Sequence, residues 1–219
     1  MKPDDVARYL KENPVFFEDY ADLLSQIFLP HPHGGRAIPL SERQVLTLRE
    51  KSKALEAKLA ELIQFGEEND AISLKIHRLC LALLGSMDLD SMLSALYLHL
   101  REDFAVPHAA LRVWSRGEGK MHGEPDRPEF GPVSQTLREY ADKLAQPYCG
   151  PSSLAEAAAW FGEAASHVRS VAHMPLTGSG SFGMLALGSE DVLRFYPEMG
   201  TLYLKRLGEI VSAVLGRFL

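Results

Sequence analysis

Cysteine is nearly absent from the 219 residues, which carry only Cys80 and Cys149. Two thiols are too few for a disulfide framework, and they lack the CxxC spacing of a zinc site, so both are expected to be reduced and structural. Long apolar runs are missing too, none approaching the ~18 residues that span a bilayer. The opening "MKPDDVARYL" has two acids where a signal peptide carries its positive region. A cytoplasmic protein is expected, with no membrane partner. Positive charge is in deficit: 23 Lys and Arg against 29 Asp and Glu leave a net charge of −6. That balance offers no global attraction to phosphate or anionic lipid, so no nucleic-acid partner is expected.

Catalytic signatures are equally scarce. The chain has no Ser-His-Asp order and no HExxH, and acidic pairs such as Glu67-Glu68 fall on solvated helix. "TGSGSFG" (177–183) lacks the Walker lysine and leads into a strand instead of opening a helix, so it reads as a hairpin turn and not a phosphate cradle. His31 and His33 in "HPH" point the same way in an extended segment, but no third ligand is evident nearby, and the prolines and glycines around them suit a connector. No metal and no cofactor is assigned.

What is present is patterned apolar surface, 46% of residues against 24% charged, enough for one domain with an extension or two small ones. A short helix over about 4–11 precedes a second one, for which Asn13 reads as N-cap and Pro14 as first residue. Val15, Phe16, Leu23, Leu24 and Ile27 exceed what this pair buries on itself, so the arm is expected to dock elsewhere. "LPHPHGGRAIP" then breaks the chain. "SERQ" at 41–44 is a capping box that opens a long helix. Leu48, Leu55, Leu62, Asn69, Ile76 and Leu83 recur every seven residues, with Val45, Ser52 and Leu59 as a second seam. The repeat fits a parallel coiled-coil dimer with Leu48, Leu55, Leu59 and Leu62 at the interface, or a single helix packed on its own domain. Beyond Gly66 the apolar face broadens, as in a helix entering a core.

Asp88 reads as the cap of the next helix, running through Leu89, Leu93, Leu96, Leu100 and Phe104. Strands follow at 108–114, at "PYCG", and in "VRSVAHMPL" and "SFGMLALGS", the last two forming an antiparallel hairpin. A turn-rich hairpin through "SRGEGKM" and helices at "VSQTLREYADKLA" and "SLAEAAAWFGEAA" intervene, and "EMGTLYLKRLGEIVSAVLGRFL" closes the chain as a helix. The expected class is α+β, a central antiparallel sheet with its long helices on one face and short inserted helices on the other. The division is 1–40 as arm and connector, 41–70 as the long helix, and 71–219 as the sheet domain.

That layout resembles a GAF domain. The resemblance is carried by Gly183 to Leu187, Ser189, Arg194-Phe195 and Pro197-Glu198, which imply a last strand, a small turn residue, an aromatic anchor and an acid-started helix. Phe195 would pin the crossover into the core, Asp191 would cap the turn, and Glu198 would sit at the helix N-terminus. "VARYLKENPVFFEDYADLLSQIFLPH", "SERQVLTLREK", "PYCG", "WFGEAA", "SVAHMPL" and "GSEDVLRFYPEMGTLYLKRLGE" together are similar to the bacterial GAF-like domain-of-unknown-function family 484. The resemblance implies a fold and brings no established site residue.

A GAF-like fold leaves room for a cavity between sheet and insert. Trp114, Tyr148, Trp160, Phe161 and either Ser170 or His173 are the candidate lining, aromatic walls with a few polar groups; the alternative is a collapsed aromatic core. Cys149 raises a third option, because some GAF-fold enzymes reduce free methionine sulfoxide, a chemistry that needs a nucleophilic thiolate and a resolving thiol. The expectation is a non-enzymatic, dimeric sensor or regulator that binds a small ligand or protein. The chain stops at the last helix of the domain, so its output is expected to pass to a separate protein. The alternative is an interaction scaffold with a vestigial pocket.

Overall fold

In the computed structural model the protein is described over residues 2–26, 28–30, 37–114, 127–152, 154–178 and 180–219, with the backbone alone at 24–26, 28–30 and 37–42. It divides into two units, residues 1–68 and 69–219. His31, His33 and the "SRGEGKM" segment lie outside the described residues, as does the Ser41 side chain of the expected capping box.

The first unit opens with α1 (Pro3–Glu12), begun by a proline whose missing N–H leaves no helix bond unmade and by Asp4 and Asp5 in its first turn. The Asp5 carboxylate accepts the Lys2 backbone N–H at 3.0 Å. Asn13 does not cap the next helix, as the sequence suggested. Its side-chain amide donates to Tyr9 O at 2.9 Å and its own N–H bonds the same carbonyl, so it closes α1. The next helix, α2 (Phe16–Asp19), starts three residues later, and α3 (Ala21–Gln26) follows. Phe16 stacks on Tyr20 (4.8 Å) and meets Phe17 edge-on (5.6 Å), while Val15, Tyr20 and Leu23 stay exposed. The Pro/Gly connector contains an unforeseen antiparallel ladder of β1 (Phe28–Pro30) and β2 (Ala37–Pro39). Each strand carries a terminal proline, tolerable in so short a pair.

α4 (Leu40–Leu84) is one helix of 45 residues. Leu48, Leu55, Leu59 and Leu62 are 59–67% exposed. Ile76, Leu79 and Leu83 are buried in the second unit, so the repeat is open over its leucines in the first unit and packs into the core over its later positions in the second. Asp88 caps α5 (Leu89–Glu102): its Oδ1 accepts the Ser91 N–H at 2.7 Å while Ser91 Oγ accepts the Asp88 N–H at 3.3 Å.

Four antiparallel strands, β3 (His108–Val113), β4 (Tyr148–Gly150), β5 (Ser170–Thr177) and β6 (Ser181–Ser189), lie in the order β3-β6-β5-β4. Their alternation gives the sheet two apolar faces. Leu111, Met174, Leu185 and Leu187 pack on Leu79, Leu83, Leu96 and Leu100 and on Leu207, Val211 and Leu215 of the last helix. On the other face Trp114 and Met184 meet Val133, with Leu137 and Ala141 of α6 (Gln135–Lys143) and Ala157 of α7 (Ala155–Ala159). Each fully buried leucine contributes roughly 1.5–3 kcal/mol.

Two expected helices change shape. "SLAEAAAWFGEAA" breaks after α7, because Gly162 takes a left-handed φ of +60° and a 3-10 turn (Gly162–Ser166) follows. The closing helix, α8, spans Leu202–Leu215 and does not start at Glu198. Glu198 lies instead in a turn closed by Met199 N–H to Tyr196 O, and Gly200, a poor helix former, separates it from α8. The rest of the crossover behaves as expected: Phe195 is buried in the first core and Asp191 Oδ1 accepts the Leu193 N–H at 2.9 Å. No helix among the described residues is long and apolar enough to cross a membrane.

Candidate functional site

The sheet face opposite the long helices collects most of the polar and aromatic candidates. Strand register places Ala110, Ala186, His173 and Tyr148 in one row across β3, β6, β5 and β4. Two of these four are alanines, so bulk on this row comes from His173 and Tyr148 and from side chains reaching over the sheet. Ser134 caps α6, its Oγ accepting the Leu137 N–H at 3.2 Å, and its own N–H donates to Glu156 Oε1 of α7 at 2.8 Å. Asp142 at the far end of α6 accepts the Ser181 N–H and hydroxyl at 3.1 and 2.6 Å, tying that helix to β6. These bonds fix α6 and α7 over the sheet.

His173 is 2% exposed and lies between two tyrosines. It stacks on Tyr148 (5.6 Å, 28°) and meets Tyr140 edge-on (5.8 Å, 86°), with Nδ1 3.1 Å from the Tyr140 hydroxyl. Burial disfavours the imidazolium and lowers the His173 pKa from 6.5 to about 4. Burial, with the neighbouring Tyr148 phenol, pushes Tyr140 up to about 12. The pair is neutral across the physiological range.

Arg112 of β3 is half-buried on the same side. Its guanidinium carbon stands 5.1 Å from the Trp160 ring centroid, a cation–π arrangement, and Nη1 donates to Leu111 O at 3.0 Å. Burial lowers its pKa. Nearby, the buried Glu129 accepts the Tyr97 hydroxyl at 2.9 Å, and desolvation followed by the Glu129 charge raises the Tyr97 pKa.

Of the residues singled out from sequence, Tyr148 and His173 are in contact. Trp160 is set beside Arg112. Trp114 is buried in the second apolar cluster with its indole N–H donating to Ser181 O at 3.1 Å. Phe161 packs by His108 (6.3 Å) and over Gly188, where an added Cβ would stand 3.1 Å from its ring. Ser170 does not join them, because it shares the parity of Ala172 and Met174 and faces the other way; its hydroxyl donates to Asp191 O at 2.6 Å. Cys149 also faces the first core, and burial raises its thiol pKa. Arg112, Tyr140 and Glu129 are not among the residues singled out from sequence. The Leu137, Tyr140, Ala141 spacing on α6 marks the sheet-facing side of that helix and was the signal available for Tyr140.

The protein is thus an α+β protein with a four-stranded antiparallel sheet covered by helices on both faces. The family described as "Protein of unknown function, DUF484" matches residues 1–219, and the chain belongs to it. A comparison with curated proteins finds no match.

Proposed function

We propose that this is a GAF-like regulatory protein, dimeric through α4, that binds a small ligand on the sheet face holding Arg112, Trp160, Tyr140, Tyr148 and His173. The observation that carries the reading is the pairing on one face of a half-buried cation over an indole with a neutral histidine set between two phenols. Such a surface suits a planar ligand with anionic or carbonyl oxygens: Arg112 offers charge and N–H donors, and the aromatic rings offer stacking faces. The strand order and the flanking helices support the GAF-like assignment.

Recognition fits this face better than bond breaking. A general acid or base works best with a pKa near the operating pH. His173 at about 4 and Tyr140 at about 12 lie well outside that range. The raised Cys149 pKa works against a thiolate nucleophile, and its side chain faces the other core. The dimer is supported by the four open leucines of α4, and the exposed apolar residues of the N-terminal helices are the surface for a separate output protein. The net charge of −6 favours protein or small-molecule partners over nucleic acid.

Thermal-shift screening of aromatic and anionic metabolites on the wild type and Arg112→Met tests the ligand site. A ligand at 100 times its Kd stabilises by about 2.7 kcal/mol, so a hit raises the melting temperature of the wild type and not of the variant. Hits indifferent to Arg112 contradict the placement. The scaffold alternative is favoured by one observation, the cluster of Trp114, Val133, Leu137, Ala141, Ala157 and Met184 that fills space beneath α6 and α7. It predicts protein partners lost in Phe16→Asp or Leu23→Asp with no small molecule involved.

A further inference from the structure

We infer a second binding site, on the opposite side of the sheet, for a single-chain amphipathic anion. A cavity of about 530 Å³ lies between α4, the end of α5, the β6-to-α8 crossover and α8. This is within the range of small-molecule sites, roughly 300–1,000 Å³. Ile72, Ile76, Leu100, Phe195 and Leu207 make its walls apolar, and Leu193 at its lip is 75% exposed. An acyl chain placed there is removed from water at about 0.8 kcal/mol per methylene.

The polar groups on the lining determine the other end of the ligand. Lys75 reaches it from α4 and Arg194 from the crossover. Neither is paired with a carboxylate among the described residues. Arg194 spends one N–H on Phe104 O at 2.5 Å, and its remaining donors, of five in all, make no other hydrogen bond among the described residues. Asp191, the acid on the lining, already accepts the Leu193 N–H. Asp103, whose carboxylate feels the Lys75 charge, is hydrogen-bonded to His99 at 2.5 Å and lies 3.9 Å from Arg78. Two cations therefore face one acid across an apolar hollow, the complement of an anionic head on an apolar chain. Val106 N–H to Leu100 O at 2.9 Å ties two of the lining residues together.

Isothermal titration of the whole 219-residue chain with dodecanoate, dodecan-1-ol and dodecyltrimethylammonium, each below its micelle concentration, tests the site. The expected result is saturable binding of one dodecanoate per chain, at least tenfold tighter than either other head group. Lys75→Met, and Lys75→Met with Arg194→Gln, should erase that preference while keeping alcohol binding. Met199→Trp should block all three by filling the hollow. Lys143→Met, a cation on α6 over the other face, should leave the dodecanoate affinity and its head-group preference as they are, which separates this site from that face. Circular dichroism confirms that each variant is folded, and Lys75→Met, on a partly exposed position, is the variant least exposed to a folding defect. Absence of saturable dodecanoate binding, equal affinity for the three head groups, or a preference that survives both Lys75 variants would overturn the proposal. So would a Met199→Trp protein that loses self-association and binds dodecanoate as before, because the hollow then belongs to a second copy of the chain.

Discussion

Acidification should destabilise this protein through His173 before it does so through any paired carboxylate. In the folded chain the imidazole takes up its proton only near pH 4, whereas in the unfolded chain it does so near 6.5. Between those values the unfolded state binds more protons, so stability is complete above 6.5, falls as pH drops through the window, and loses nothing further from this group below the folded pKa. A difference of about 2.5 units at 1.36 kcal/mol each is about 3 kcal/mol. For a chain of this size that corresponds to a fall of roughly 6–12 °C in melting temperature. Asp88, Asp103 and Asp142 are held below the usual carboxylate value by hydrogen bonds from Ser91, His99 and Ser181. Their contributions are present above 3.8 and disappear only below it, in a separate window. Urea unfolding of wild type and His173→Gln at half-unit steps from pH 7.5 to 4 isolates the histidine, because the variant keeps a polar group opposite Tyr140 and cannot titrate. The wild type should lose about 3 kcal/mol more than the variant across the series. Parallel curves, or an NMR titration placing His173 near 6.5, would refute the reasoning.

Other consequences are open to direct test. Leu55→Asp combined with Leu62→Asp puts two charges into the open α4 seam, and under the proposed coiled-coil pairing light scattering should read a dimer for the wild type and a monomer for the variant; equal masses rule out the coiled coil. Gly183→Ala would set a Cβ 2.7 Å from the Arg112 carbonyl oxygen, between two paired strands, and should lower stability by about 1–3 kcal/mol in urea; an unshifted midpoint contradicts the strand packing. Arg112→Met removes the cation–π contact and should cost about 0.5–1 kcal/mol in the ligand-free protein, with equal stability of variant and wild type counting against the contact. Cys149 should react with Ellman's reagent only after urea is added, whereas rapid labelling in buffer would show a thiol more open than its burial allows.

Much of the architecture could be read along the chain where local chemistry and tertiary packing agree. Asp88 and Ser91 form a reciprocal cap that any helix start would use, and the alternating residues of 181–189 pair as a central strand. The leucine repeat of α4 was legible as a stripe, and the structure adds where it changes role, between the open Leu62 and the buried Ile76. The misreadings share a cause, a strong local signal decided by a nonlocal one. Asn13 suits either end of a helix, and the free carbonyl of Tyr9 captured it. Glu198 after Pro197 looks like a helix start, but the crossover needs those residues as a turn to seat Phe195. Gly162 lies in an alanine-rich helical stretch, and its left-handed turn sets Trp160 and Phe161 ahead of the 3-10 segment.

The candidate face was legible to the extent that period two governs a strand. That rule puts Ser170 and His173 on opposite sides, and only His173 joins Tyr148. Tyr140 and Arg112 complete the arrangement through contacts across 33 and 48 residues of sequence, from Tyr140 to His173 and from Arg112 to Trp160. The spacing on α6 gives the side of the helix that Tyr140 takes, but not its partner so far along the chain.

Native mass spectrometry of the protein as purified tests the central reading most directly, since one spectrum reports subunit number and any retained small molecule. A dimer carrying a defined extra mass, lost in Arg112→Met, is the result this account predicts. A monomer with no added mass would contradict it.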